Sequence, residues 1–206
     1  MKGIRIDYHL HKAQHDKEQQ IRCMKRYADR IAPFGWGLQT YHPHPEYYDS
    51  LAPIIASLPV SMVIDHFGGL KTASLLEFQG IDTLSFDVTA QPGLKALCSL
   101  LEDRKLWIKL SAPYRCSEDP TFEDMKPVVR ALVDANPDRV LYGSDWPHTQ
   151  PFHRRPKGLK GEDVETFLDF DDKAWVNKLK TWLNDEEWDK LMVKNPRVFI
   201  GYEGKD

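Results

Sequence analysis

The sequence predicts an α/β fold of parallel strands joined by helical crossovers. Five short runs of branched and aromatic residues alternate with stretches in which apolar residues recur three and four positions apart. Two of those runs, 60–65 (VSMVID) and 140–142 (VLY), are almost continuously apolar, as strands covered on both faces must be. Arg, His, Tyr and Asp residues stand in or just beyond the runs, and parallel sheets bind ligands at the carboxyl ends of their strands.

The elements follow in order. Residues 3–8 (GIRIDY) alternate apolar and polar and read as the first strand. A polar stretch with His9, His11 and His15 follows. Between Asp16 and Pro33, apolar Ile21, Met24, Ala28 and Ile31 keep helical spacing. Residues 36–41 (WGLQTY) form the second strand. Pro45 then opens a helix that buries Leu51, Ile54, Ile55 and Leu58 and stops at Pro59. The third strand, 60–65, runs into His66-Phe67-Gly68-Gly69.

Residues 70–91 give no clear period, and 81–88 read either as a short extra strand or as an ordered loop. Pro92 starts a helix with Leu94, Leu97, Cys98 and Leu101 on one face. The fourth strand is 106–111 (LWIKLS). Thr121 with Asp124 resembles a helix start leading into Val128, Val129, Leu132 and Val133. The fifth strand ends at Gly143, and Ser144-Asp145-Trp146-Pro147-His148 comes directly after it. A polar loop from Thr149 to about Asp171 leads to a helix with Trp175, Leu179, Trp182 and Leu183. Asn184 with Glu187 makes a capping box for a last helix, which is expected to end near Asn195-Pro196.

Composition narrows the functional classes. At 206 residues the chain exceeds the usual domain size of about 100–150 and can bury a sizeable core. A net charge of -3 argues against a nucleic-acid footprint, and the basic cluster His153-Arg154-Arg155-Pro156-Lys157 reads as a solvated loop. Cys23, Cys98 and Cys116 lack CxxC pairing, which suits a reducing compartment, and no apolar run reaches the length of a membrane span. A cytoplasmic location and a small-molecule partner are expected, without nucleic acid or membrane.

Collected by position, the strand ends carry Arg5 and His11, Tyr41 and His42, His66, Arg115, and Asp145 with His148. Each has a structural reading: a surface ion pair for Arg5, a core phenol for Tyr41, a hydrogen-bonded core imidazole for His66, a turn cap for Asp145. Convergence at one rim favours chemistry, since an acid, imidazoles and two guanidiniums have little structural reason to share it. Such a pocket suits an anionic substrate, with the arginines on its carboxylates and His66 and Asp145 on a carbonyl and the attacking water.

The motifs VIDHFGG, WIKLSAPYR, VLYGSDWPH and NPRVFIGY resemble, in order and spacing, the amidohydrolase-related (amidohydrolase 2) family, nearest its 2-pyrone-4,6-dicarboxylate lactonase-like branch. The likeness runs from Gly3 to Tyr202 and implies an incomplete (β/α)8 TIM-type barrel, roughly strands 4 to 8 with their helices, as a single domain over residues 1–206. It implies that Asp145 is the general base for water and that His66 polarises the carbonyl. In metal-dependent relatives the matching residues are ligands. It further implies substrate binding by Arg5, Arg115 and Tyr41, with His148 in the signature beside the base. No cofactor is expected, zinc or manganese being the alternative.

Two departures stand out. His11 occupies the position, six residues after Arg5, of a second arginine in the lactonase branch, and is a candidate substitute for it. The family's first-strand His-x-His pair has no counterpart ahead of Met1, and His9-x-His11 lies after the wrong strand. The chain is therefore expected to be an incomplete unit that associates through exposed barrel edges. A cooperative, monomeric unfolding transition of the chain alone contradicts that expectation. The implied activity is hydrolysis of a lactone or similar ester or amide of a small carboxylated substrate. The alternatives are a zinc-dependent decarboxylase or amidohydrolase of the same fold, and an inactive fragment.

Overall fold

The computed structural model describes residues 3–41, 43–151, 154–155, 158 and 163–202. Its centre is a parallel sheet of β1 (Gly3–Ile6), β2 (Gly37–Thr40), β3 (Met62–Ile64), β4 (Leu106–Ser111) and β5 (Val140–Gly143), hydrogen-bonded in the order β1-β2-β3-β4-β5. Ile6 pairs with Thr40, Thr40 with Ile64, Ile64 with Ile108, and Ser111 with Gly143. Chain order and spatial order coincide, with no switch point of the doubly wound kind. That is the arrangement of a (β/α) barrel wall, so the expected α/β fold is present with all five strands.

Strand alternation divides the residues between two faces. Met62, Ile64, Leu106, Ile108, Leu110 and Val140 join the main core, which the helices cover. Val63, Trp107 and Leu141 point the other way and form a second, smaller cluster with Phe199 against it. Farther along that face stand Gln39, Asp65, Lys109 and Ser111, the polar residues that lead up to the site.

The helices largely follow the apolar spacing. Helix α1 (Lys17–Ile31) is capped by Asp16, which accepts from the Gln19 N–H, and buries Gln20, Cys23, Met24, Ala28 and Ile31. Ile21, expected inside, is half-buried because Gln20 takes the inner position and donates to the Ala13 carbonyl at 2.9 Å. Pro45 opens a 3₁₀ turn ahead of α2 (Tyr48–Ser57). Helix α4 (Leu94–Glu102) begins behind Gly93, whose N–H donates to Asp49. A Cβ on Gly93 would lie 1.9 Å from the Pro45 carbonyl oxygen, so only glycine fits.

Within residues 70–91 the structure has a short helix, α3 (Ala73–Phe78), and of the two readings of residues 81–88 the loop is the one found. Three expectations need correction. Thr121 and Asp124 do not start α5 (Lys126–Ala135). Asp119 binds the Thr121 and Glu123 N–H groups, and Asp124 accepts from Ser74 and Ser117, each at 2.6 Å. The helix from Pro92 turns Leu100 inward and leaves Cys98 half-buried.

Finally, the chain does not stop at Asn195-Pro196. After α6 (Asp172–Trp182) and α7 (Asp185–Asp189), a π-helical segment (Lys190–Lys194) passes into α8 (Asn195–Ile200). Pro196 sits in the first turn of α8, directly after the π-helical segment. The Asn195 amide donates to the Pro137 and Val140 carbonyls, pinning α8 so that Phe199 meets Trp107 at 5.4 Å. The Asn184–Glu187 capping box is present.

No helix among the described residues is long and apolar enough to cross a membrane. In the basic cluster, Arg154 and Arg155 pair with Glu118 and Glu165, and the rest of the cluster lies outside the described residues.

Candidate active site

Three turns at the carboxyl ends of β3, β4 and β5 build the site. After β3 the chain reaches His66, where φ is 53°, and stays left-handed through Phe67, Gly68 and Gly69. Asp145, two residues beyond β5, has φ 63°, and His148 has φ 59°. Positive φ is uncommon for such residues and persists only where the surroundings enforce it. The outcome is that His66 and Asp145, from different turns, face one another with Nε2 and Oδ1 3.5 Å apart.

Ser111, the last residue of β4, fixes the imidazole. Its Oγ accepts from the His66 backbone N–H at 3.3 Å and lies 2.9 Å from Nδ1. The Ser111 hydroxyl is both donor and acceptor, and the tautomer in which it donates to Nδ1 carries the imidazole proton on Nε2, facing the Asp145 carboxylate. Gly143 leaves room for this, since a Cβ there would crowd the Ser111 Cβ at 3.3 Å. The Tyr41 ring stands edge-on to His66 at 4.8 Å. Burial lowers the His66 pKa to about 4, outweighing the pull of Asp145 and Asp65, so the ring is neutral at pH 7.

Asp145 is held through its other oxygen. Oδ2 accepts from the Tyr114 hydroxyl at 2.7 Å and from Arg115 Nε and Nη2 at 3.0 and 2.9 Å. Burial pushes the carboxyl up. The charges of His66 and Arg115 and the hydrogen bonds from Tyr114 and Arg115 outweigh it and leave the pKa below the ordinary value. With His66 neutral, Arg115 and Tyr114 are what lower it at neutral pH. Oδ1 remains to face Nε2 and the opening, and the side chain keeps 21% of its surface exposed. A gap of 3.5 Å exceeds an ordinary N–H···O bond and leaves both groups available to a third.

The other expected residues are placed differently. Arg115 does not point a free guanidinium at solvent, because it binds Asp145 and both the carbonyl and hydroxyl of Thr149. Arg5 is 56% exposed and lies 3.6 Å from the buried Asp65. Asp65 also takes Lys109 at 2.9 Å and Gln39 at 2.7 Å. His148 turns away from the pair, bonding Asp172 at 3.0 Å against Phe170 and Tyr114. His11 lies 3.4 Å from the Tyr27 hydroxyl, and His9 lies 3.3 Å from Gln14. His42 lies outside the described residues.

Ser111, Tyr114, Asp65 and Lys109 were not anticipated. Their only signal was placement: Lys109 is charged within an otherwise apolar strand, and Ser111, Tyr114 and Asp65 directly neighbour strand ends. Among the described residues no cluster of three or more His, Cys, Asp or Glu is arranged to hold a metal. His66 Nε2 and Asp145 Oδ1 offer two donors, short of the three protein ligands that a catalytic zinc takes.

A family model described as amidohydrolase matches residues 1–201. The 4-sulfomuconolactone hydrolase of Rhizobium radiobacter is 35% identical over 162 residues, covering 78% of this chain and 46% of that protein. The enzyme of the same name from Hydrogenophaga intermedia is 31% identical over 157 residues, covering 76% and 44%. The chain thus spans less than half the length of these two relatives. Among solved structures, a probable 2-pyrone-4,6-dicarboxylic acid hydrolase of Acinetobacter baumannii with citric acid bound superposes with TM-score 0.62 at 21% identity, covering 98% of this chain and 65% of that one. An amidohydrolase of Burkholderia multivorans with bound zinc gives TM-score 0.61 at 15% identity, covering 98% and 64%. At these identities the two structures speak to the fold alone.

Proposed function

The chain belongs to the amidohydrolase family, and from that premise we propose that it carries the hydrolytic centre of a lactonase-like enzyme acting on a small carboxylated cyclic ester. The observation that supports this reading is the facing of Asp145 Oδ1 and His66 Nε2 at 3.5 Å, with the Asp145 side chain partly exposed. The relatives that are 35% and 31% identical carry the name of a lactone hydrolase, which supports the substrate class.

In this reading a water molecule hydrogen-bonded to Oδ1 gives a proton to the Asp145 carboxylate as its oxygen bonds to the lactone carbonyl carbon. The neutral His66 donates its Nε2–H to the carbonyl oxygen, where negative charge develops. Collapse of the adduct breaks the ring C–O bond, and the departing oxygen takes the proton from Asp145, which returns to carboxylate. Arg115 and Tyr114 hold the base in place through Oδ2 and leave Oδ1 free to turn over. The partner is a small organic acid rather than nucleic acid or membrane, and the proposed location is the cytoplasm.

A zinc-dependent hydrolase or decarboxylase of the same fold is the second reading, in which His66 and Asp145 would be ligands. The two separate in one experiment: lactone hydrolysis by the purified protein before and after chelation, with metal content measured alongside. Turnover that survives chelation supports the water-and-carboxylate reading, and turnover that requires stoichiometric zinc or manganese supports the other.

A further inference from the structure

Beside the pair lies a cavity of about 200 Å³ with His15, Tyr41, His44, Lys71 and Arg115 among its lining residues. Tyr41 lines it and also touches the His66 ring, while Arg115 lines it and also holds Asp145. A group seated there therefore sits one side chain away from both members of the pair. Among the described residues no Asp or Glu is part of the lining.

The cations around it are not equivalent. Arg115 is engaged by Asp145 and Thr149, and Arg5 pairs with Asp65. His15 and His44 are bonded to one another at 3.0 Å, with His44 also 3.2 Å from Glu46. Lys71 differs from all of these. Gln91 clamps its backbone on both sides, donating to its carbonyl at 3.1 Å and accepting from its N–H at 2.9 Å. Among the described residues no carboxylate pairs with its ammonium. Burial pushes up the pKa of the Cys116 thiol, which hydrogen-bonds the His66 carbonyl, and the charges of Arg115 and Lys71 oppose that rise, so both are felt at the back of the site.

Lys71 is half-buried on an anchored backbone, lines a cavity to which no described Asp or Glu contributes and has no carboxylate on its ammonium among the described residues, an arrangement suited to receiving an anion. We propose that Lys71 is a specificity residue whose ammonium binds a carboxylate or sulfonate borne by the substrate away from its reacting carbonyl. This deepens the lactonase reading and rests on it for the word substrate, though the anion site itself is tested without turnover. A cavity of this size takes one such group and part of a ring rather than a whole drug-sized molecule. The selectivity that follows is for cyclic esters with an acidic substituent over neutral ones.

Calorimetric titration of isophthalate and of its neutral dimethyl ester into wild type, Lys71→Met and Lys71→Arg tests the assignment. Isophthalate is expected to bind wild type and Lys71→Arg comparably and Lys71→Met about tenfold more weakly, as befits one charge-assisted hydrogen bond. The diester should show no dependence on residue 71. Equal isophthalate affinity in wild type and Lys71→Met overturns the assignment, as does absence of isophthalate binding to wild type. An equal loss for the diester overturns it too, because the effect is then on the cavity and not on the charge. If no lactone is hydrolysed while isophthalate binding still depends on Lys71, the hydrolytic reading fails and the anion site stands.

Discussion

Arg115 grips Asp145 through two nitrogens on the same oxygen, Nε and Nη2 lying 3.0 and 2.9 Å from Oδ2. The guanidinium that the resemblance assigns to substrate is bonded to Asp145, the proposed base, in this structure. One carboxylate oxygen is fixed and the other faces the imidazole and the opening.

Replacing Arg115 therefore acts on acidity before it acts on affinity. With the positive charge removed, the half-buried carboxyl rises from its lowered pKa, and the acid limb of the rate profile moves to higher pH. Arg115→Gln should show that shift in kcat against pH. A loss confined to KM, with the acid limb unmoved, would return Arg115 to substrate binding.

His66 makes stability depend on pH in a known direction. Its pKa falls on folding from the ordinary 6.5 to about 4, so between those values the unfolded chain binds the extra proton. The stability due to a neutral imidazole is present above about 6.5 and is lost as pH falls towards 4, by about 3 kcal/mol in total. The Asp145 carboxyl, also lowered, loses its contribution at still lower pH. Denaturant unfolding at pH 7 and pH 4.5 should show the drop in wild type and a smaller one in His66→Gln.

Ser111→Ala removes the acceptor for the His66 backbone N–H and the partner of Nδ1 together. The imidazole loses its fixed tautomer, and kcat is expected to fall about tenfold to a hundredfold with KM little changed. Steady-state kinetics on one lactone substrate decides this. An unchanged kcat means that Ser111 has no part in positioning the ring.

Gly93→Ala is the corresponding test of the fold. A methyl group would meet the Pro45 carbonyl oxygen at 1.9 Å, on a backbone with φ +84°. The loop before α2 and the start of α4 must then separate, at a cost of about 2 kcal/mol or more. A chemical denaturation midpoint equal to wild type contradicts the close approach.

The sequence carried the frame of the site more fully than its wiring. Strand ends were readable because apolar runs stop abruptly at His66, Ser111 and Gly143, and parallel sheets gather such ends at one rim. What a side chain does after the strand depends on turn geometry, and left-handed residues at His66, Ala112, Asp145 and His148 redirect the chain in ways that residue type does not announce. Hence His148, adjacent to the base in sequence, faces Asp172. Arg115 is turned onto an internal carboxylate, and Lys71, in the stretch without clear periodicity, lines the neighbouring cavity. The capping box at Asn184 was legible because its contacts span only three residues. The role of Asn195 was not, since its partners Pro137 and Val140 are distant in sequence.

The most direct measurement is steady-state hydrolysis of a carboxylated lactone by wild type and Asp145→Asn, with circular dichroism to show that both are folded. An amide at residue 145 keeps the shape and cannot take the proton from water, so kcat should fall about a thousandfold while KM stays near the wild-type value. Turnover by Asp145→Asn within about tenfold of wild type would mean that water is activated elsewhere, and the facing of Asp145 and His66 would not be the reaction centre.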